Sequence, residues 1–73
     1  MSHTVVAELV GSVLTVVARA GDEVGPEDTL VILESMKMEI PVLAEVSGTV
    51  IDVKVADGDV VRDGDPIAVI EER

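Results

Sequence analysis

The sequence predicts an all-β fold, a flattened barrel or sandwich built from two like halves, and three observations predict it. Sliding the chain against itself by 37 positions aligns residues 5–34 with 42–71 without a gap. Eleven of the thirty pairs are identical, from Val5/Val42 through Gly11/Gly48, Gly21/Gly58 and Asp22/Asp59 to Glu34/Glu71. Sixteen valines and no Phe, Tyr or Trp leave a core of Val, Ile, Leu and Ala, residues that suit pleated strands. The apolar runs are short and punctuated by glycine and aspartate, so nothing in the chain calls for a helix.

Each half contains the same series of elements. Val5 to Leu9 and Val42 to Val46 have strand character and are followed by the turn glycines Gly11 and Gly48. A second strand is expected over Val13 to Ala18 and over Val50 to Val55. There follow a Gly-Asp turn (Gly21-Asp22, Gly58-Asp59), a brief apolar touch at Val24 or Val61, and an acidic turn at Glu27-Asp28 or Gly64-Asp65. Leu30 to Glu34 and Ile67 to Glu71 close the halves.

Strict alternation assigns faces. Asp52 and Lys54 must meet water, which turns Ile51, Val53 and Val55 inward and, through the repeat, Leu14, Val16 and Ala18. Glu8 and Glu45 likewise send Val5, Ala7, Leu9, Val42, Ala44 and Val46 inward. Leu30 to Leu33 is apolar at every position and is expected to be covered on both faces. His3 falls in a terminus expected to fray, with no partner. Neither half can bury its apolar face alone, so the two are expected to close about a pseudo-twofold axis, joined by residues 35–41, with the termini at the opposite end from that junction.

Seventy-three residues make one domain, 1–73, which buries only about 60% of its unfolded surface and so needs a compact core. Without cysteine there is neither a disulfide scaffold nor a zinc-thiolate site. A net charge of −10 argues against nucleic acid and against anionic membrane, both of which need clustered Lys and Arg. No signal peptide or transmembrane run is visible, the chain starts at Met1, and no Ala/Pro-rich linker occurs. A free-standing cytoplasmic protein, monomeric on its own, is the expectation.

The junction of the halves, Glu34-Ser35-Met36-Lys37-Met38-Glu39-Ile40, is where chemistry is expected. Flanked by strand-forming residues, Met36-Lys37 falls at a hairpin tip. Two-residue hairpin loops favour Asn-Gly or Gly-Gly, because both central residues take positive φ. Met-Lys is a costly choice there, on the order of 1 kcal/mol or more. Glu34 and Glu39 would also face each other, a like-charge pair that is destabilising. Something other than turn stability selected these residues. A catalytic lysine needs burial or cationic neighbours, whereas the neighbours of Lys37 are acids; an exposed lysine fits an acceptor to which a separate enzyme brings an activated acyl group. Met36 and Met38, flexible thioethers, suit packing against an attached group. Lys54, the other lysine, lies along a strand and is expected to be plain surface. Asp57-Gly58-Asp59 and Asp63-Gly64-Asp65 fail the calcium-loop pattern, since Val61 stands where a third acid is needed, and no metal site is expected. One histidine and no cysteine leave no nucleophile–base set.

Glu34-Ser35-Met36-Lys37-Met38 resembles the attachment motif of biotin carboxyl carrier proteins, and the Gly-Asp-x-Val and Gly-Asp-x-Ile segments extend that resemblance over essentially the whole chain. Ser35 stands where alanine is common. The resemblance implies a barrel-sandwich hybrid of two four-stranded antiparallel sheets, without the inserted loop that some members carry. It implies biotin in amide linkage on Lys37, placed there by a biotin protein ligase that recognises Glu34, Ser35 and Glu39. It also implies that the protein is not itself an enzyme. The biotin would carry a carboxyl group between the biotin carboxylase and carboxyltransferase subunits of a biotin-dependent acyl-CoA carboxylase. Two alternatives stand beside it: a lipoyl or dual biotin/lipoyl carrier, although lipoyl domains usually carry Asp-Lys-Ala at this turn, and an unmodified regulatory or binding module.

Overall fold

A computed structural model describes all 73 residues and contains strands and turns only, within 35 × 18 × 17 Å. The strands are β1 (Ser2–Val6), β2 (Gly11–Val16), β3 (Glu23–Val24), β4 (Thr29–Ser35), β5 (Met38–Leu43), β6 (Gly48–Val53), β7 (Val60–Val61) and β8 (Pro66–Glu72). They form two four-stranded antiparallel sheets, ordered β1-β8-β6-β3 and β5-β4-β2-β7. Adding 37 to each residue of the first half turns β1, β2, β3 and β4 into β5, β6, β7 and β8, so one sheet order maps onto the other. Each sheet takes two strands from each half. The halves are therefore interlocked, not stacked as separate units.

The core is built from the same repeat. Leu30/Ile67, Leu33/Ile70, Val31/Ala68, Val13/Val50, Val24/Val61 and Ala7/Ala44 are buried pairs, joined by Val5 and Ala18, and no polar side chain is buried. The turns repeat as well. Asp22, Asp28, Asp59 and Asp65 each accept a hydrogen bond from the backbone N–H three residues earlier, at Arg19, Gly25, Ala56 and Arg62, at 2.8–2.9 Å. Asp57 reaches across to the first half and accepts from the Val16 N–H at 2.9 Å. These aspartates satisfy turn backbone, the use expected of short acidic side chains beside glycine. No group of three or more His, Asp or Glu side chains comes together.

Four expectations are corrected. Leu14 and Ile51 are 40% and 49% exposed, not inward, while Val13 and Val50 are buried. The register of β2 on β4 slips between Val13 and Thr15, and that of β6 on β8 between Val50 and Asp52. A β-bulge there places two successive residues outside and resets the alternation, after which Val16, Ala18, Val53 and Val55 do turn inward. Leu30 to Leu33 is not covered on both faces. Leu30 is skipped in the pairing of β4 with β5, as Ile67 is in that of β8 with β1, so a bulge lets Leu30 and Val31 both face the core while Ile32 is only half-buried. The first strand begins at Ser2 and ends at Val6, three residues earlier than the alternation suggested. His3 is accordingly not frayed: it pairs with Ile70 in β1–β8, and its Nε2 lies 3.6 Å from Glu45 Oε1. Glu45 holds a left-handed φ of 71°, and its N–H donates to the Pro26 carbonyl.

Candidate functional site

The register of β4 on β5 fixes the tip. Leu33 pairs with Ile40, Glu34 with Glu39 and Ser35 with Met38, which leaves Met36 and Lys37 as a two-residue loop. Both are left-handed, with φ of 53° and 64°. This is the type I′ geometry that right-handed strand twist favours, reached without glycine or asparagine. The hairpin base is held at two points. The Ser35 hydroxyl donates to the Val10 carbonyl at 2.9 Å. Gly11 lets β2 approach β4 so closely that a Cβ there would lie 2.8 Å from the Glu34 carbonyl oxygen. A strained loop thus stands on a firmly held base.

What the loop presents is unpartnered. Met36 is 91% exposed and Met38 61%, so neither thioether fills the core. Lys37 is exposed and has no carboxylate within ion-pairing distance. Lys54, by contrast, is held by Asp52 at 2.7 Å, and the Lys54 ammonium, donating to that carboxylate, keeps Asp52 below the usual carboxylate range. Glu34 and Glu39 face each other and are likewise free of cations. All six residues singled out from the sequence, Glu34, Ser35, Met36, Lys37, Met38 and Glu39, lie in one hairpin. Sequence reasoning missed Val10 and the steric role of Gly11. The Gly11/Gly48 identity across the repeat was the available signal, since a Cβ on Gly48 would likewise overlap the Glu71 carbonyl.

The termini lie at the other end. The Met1 ammonium binds Glu71 at 2.9 Å, beside the Gly48–Glu72 pair of β6 and β8. The chain leaving Gly11 at the tip runs the length of β2, roughly 20 Å for six residues, before Glu23 pairs with Thr49 at that far end.

The all-β scaffold thus displays one unpaired lysine, Lys37, at the apex of a strained two-residue turn. The chain belongs to the biotin/lipoyl attachment family: the family described as "Biotin-requiring enzyme" matches residues 1–70. It is 65% identical over 43 residues to a biotinylated protein TB7.3 homolog of Mycolicibacterium smegmatis, a match covering 59% of this chain and 61% of that one. The aligned segment thus spans about three-fifths of the length of that relative. Among solved structures, a single-chain, multi-domain long-chain acyl-CoA carboxylase superposes with a TM-score of 0.91 at 33% identity, over 99% of this chain and 7% of the carboxylase. The lipoyl domain of the 2-oxoglutarate dehydrogenase complex from Azotobacter vinelandii superposes with a TM-score of 0.77 at 25% identity, over 94% of this chain and 95% of that domain.

The acids at the tip give a first test. Glu34→Lys would face Glu39 directly and exchange a like-charge pair for an opposite one, a change on the order of 0.5 kcal/mol in favour of the fold. Thermal melting should be unchanged or slightly raised, while modification of Lys37 by purified ligase should slow, because charge at an encounter surface acts on association. Unaltered labelling kinetics would make Glu34 solvated surface only.

Proposed function

We propose that this chain is a biotin carboxyl carrier, modified on Lys37 by a biotin protein ligase and serving the biotin carboxylase and carboxyltransferase centres of a biotin-dependent acyl-CoA carboxylase. The observation that carries the reading is the place of Lys37: an exposed, unpaired amine at the apex of a turn whose residues are poor for the turn itself. The residues present fit the group. The Lys37 amine is open to an acyl donor, and the thioethers of Met36 and Met38 flank it without being committed to the core.

The domain supplies position and the ligase supplies activation. In the ligase site the deprotonated amine of Lys37 attacks the activated acyl carbon. The C–N bond forms, the activating group leaves with its bonding pair, and the amine proton passes to a base of the ligase, since none lies beside Lys37. Bound biotin would supply a ring able to take up a carboxyl group at one centre and give it away at another. The chain's own part is then to hold that arm on a base pinned at Ser35 and Gly11 and to dock. It performs no catalysis itself.

The likeness to a lipoyl domain keeps one second reading, a lipoyl group on the same amine. Intact mass of the chain isolated from its native cells separates the two: a biotinyl increment supports the proposal, a lipoyl increment replaces it, and an unmodified chain points to a binding module. Peptide mapping of the same material should place the group on Lys37 alone, because Lys54 lies in mid-surface and is engaged by Asp52. Biotin on Lys54 would overturn the turn-based argument.

A further inference from the structure

β1 and β5 are the edge strands of their sheets and are counterparts in the repeat. Between them runs a groove of about 330 Å³, lined by Val5 and Val6 of β1, Leu9 just beyond it, and Ile40, Val42 and Leu43 of β5. Val5/Val42 and Val6/Leu43 are repeat pairs, so the groove starts where the two halves meet. It does not extend equally in both directions. Leu9, Leu33 and Ile40 line it, whereas their counterparts Val46, Ile70 and His3 do not. The groove is therefore open towards the end that carries Lys37 and closed towards the termini.

One pair of the repeat differs at this point. On the closed side His3 stands beside Glu45, its Nε2 3.6 Å from Glu45 Oε1. The counterpart of that pair is Ile40 with Glu8, which cannot form one, and Glu8 has no cation in the chain. Pro41 likewise stands where the other edge has Thr4. The result is an apolar groove with an uncommitted carboxylate, Glu8, among its lining residues, at the base of the lysine-bearing hairpin. Its volume falls at the lower end of small-ligand sites, roughly 300–1,000 Å³, which share this make-up of apolar lining and few polar groups.

We infer that this groove is the resting site of the chain's own biotinyl arm: the fused ring lies against Leu9, Ile40 and Val42, and a ureido N–H donates to the Glu8 carboxylate. This rests on biotin being the group that Lys37 carries. The arm is long enough. Ile40 is three residues from Lys37, about 10 Å along the strand, and an extended lysyl-valeryl arm spans about 13 Å at roughly 1.2 Å per bond. Because β5 is an edge strand, the arm passes along its free side without crossing a sheet. The tether also makes weak contacts sufficient. A short flexible link holds the ring at an effective concentration of about 1 mM, so a groove with an intrinsic Kd of about 0.1 mM keeps roughly nine arms in ten parked. A lipoyl ring has no N–H to give Glu8 and fits the site less well. Each centre that uses the biotin ring must then draw it out of the groove.

The test compares the chain biotinylated to completion by purified biotin protein ligase, as intact mass confirms, with the unmodified chain. Methyl resonances of Leu9, Ile40 and Val42 should shift on biotinylation, while those of Val16 and Val53, which do not line the groove, should stay in place. Avidin, which takes the ring only when the arm is free, should capture the parent about tenfold more slowly than Ile40→His. That substitution copies His3 and gives Glu8 the neighbour that Glu45 has. Glu8→Ala, at an exposed position, should speed capture about threefold with melting unchanged, so the outcome does not depend on how the histidine variant folds. Equal capture rates for the parent and both variants, with methyl shifts confined to Met36 and Met38, would overturn the inference while leaving Lys37 as the acceptor. A chain that gains no biotinyl mass removes the proposed function, and this inference with it. Shifts at Leu9 and Ile40 that grow with protein concentration would place a neighbouring chain's arm in the groove and overturn its assignment to the chain's own.

Discussion

Lys37→Arg is expected to give a domain that folds like the parent and carries no biotin. Arginine keeps a long stem and a positive charge and takes the left-handed φ at the same cost as lysine. At a position exposed to this degree, stability should stay within about 0.5 kcal/mol of the parent. Its guanidinium remains protonated at any working pH and is a very poor acyl acceptor. Streptavidin blotting and intact mass after incubation with ligase, ATP and biotin should therefore show complete loss of labelling, and a carboxylase reconstituted with the variant should transfer no carboxyl group. Stoichiometric labelling at another single position would show that the acceptor is not Lys37.

Gly48→Ala should have the largest effect on the fold itself. Gly48 opens β6, pairs with Glu72 of β8 and Val24 of β3, and passes so close to the Glu71 carbonyl that a Cβ would overlap it. The two central strands of that sheet would have to separate. Overpacking of this kind costs about 3 kcal/mol or more when backbone must move, against a total of about 4–11 kcal/mol for a chain of this length. A fall in Tm of roughly 15 °C is expected. Gly11→Ala, with 2.8 Å to the Glu34 carbonyl, should cost less. Below its melting temperature the Gly48 variant should still accept biotin, since the tip lies at the other end. A Tm within about 2 °C of the parent would mean that β6 and β8 adjust without penalty.

The tip was legible in the sequence because its signals are local and chemical: strand-forming residues on both sides, a turn pair unsuited to its turn, and two acids placed to oppose each other. The repeat made the fold class legible, since two copies of one half-open β-unit have only each other to close against. What alternation could not deliver were the faces of Leu14 and Ile51. A bulge inserts one residue without any change in composition, and a hydrophobic residue on a half-exposed bulge looks like a core residue. The run Leu30 to Leu33 misled for the same reason, its bulge producing two buried neighbours in succession. The strand status of Ser2 to Thr4 depends on pairing with β8, where His3 meets Ile70 from nearly the opposite end of the chain; no local pattern announces that. Nor does a sequence show that Gly11 and Gly48 are glycine because of a carbonyl on the adjacent strand.

The interlocking of the halves also sets the order of events as the chain is made. The hairpin β4–β5 and its neighbour β2 can pair once Leu43 has left the ribosome, but their inner face, Val13, Val31 and Leu33, then has nothing above it. Its cover is the other sheet, in which β1 must wait for β8, and Ser2 meets Glu71 only when synthesis is nearly complete. Pairings this distant along the chain are slow to form and gain nothing until the loop closes. The amine of Lys37 is thus synthesised half a chain before the sheet that carries it is covered, so the hairpin rests on a closed core only when synthesis is nearly complete.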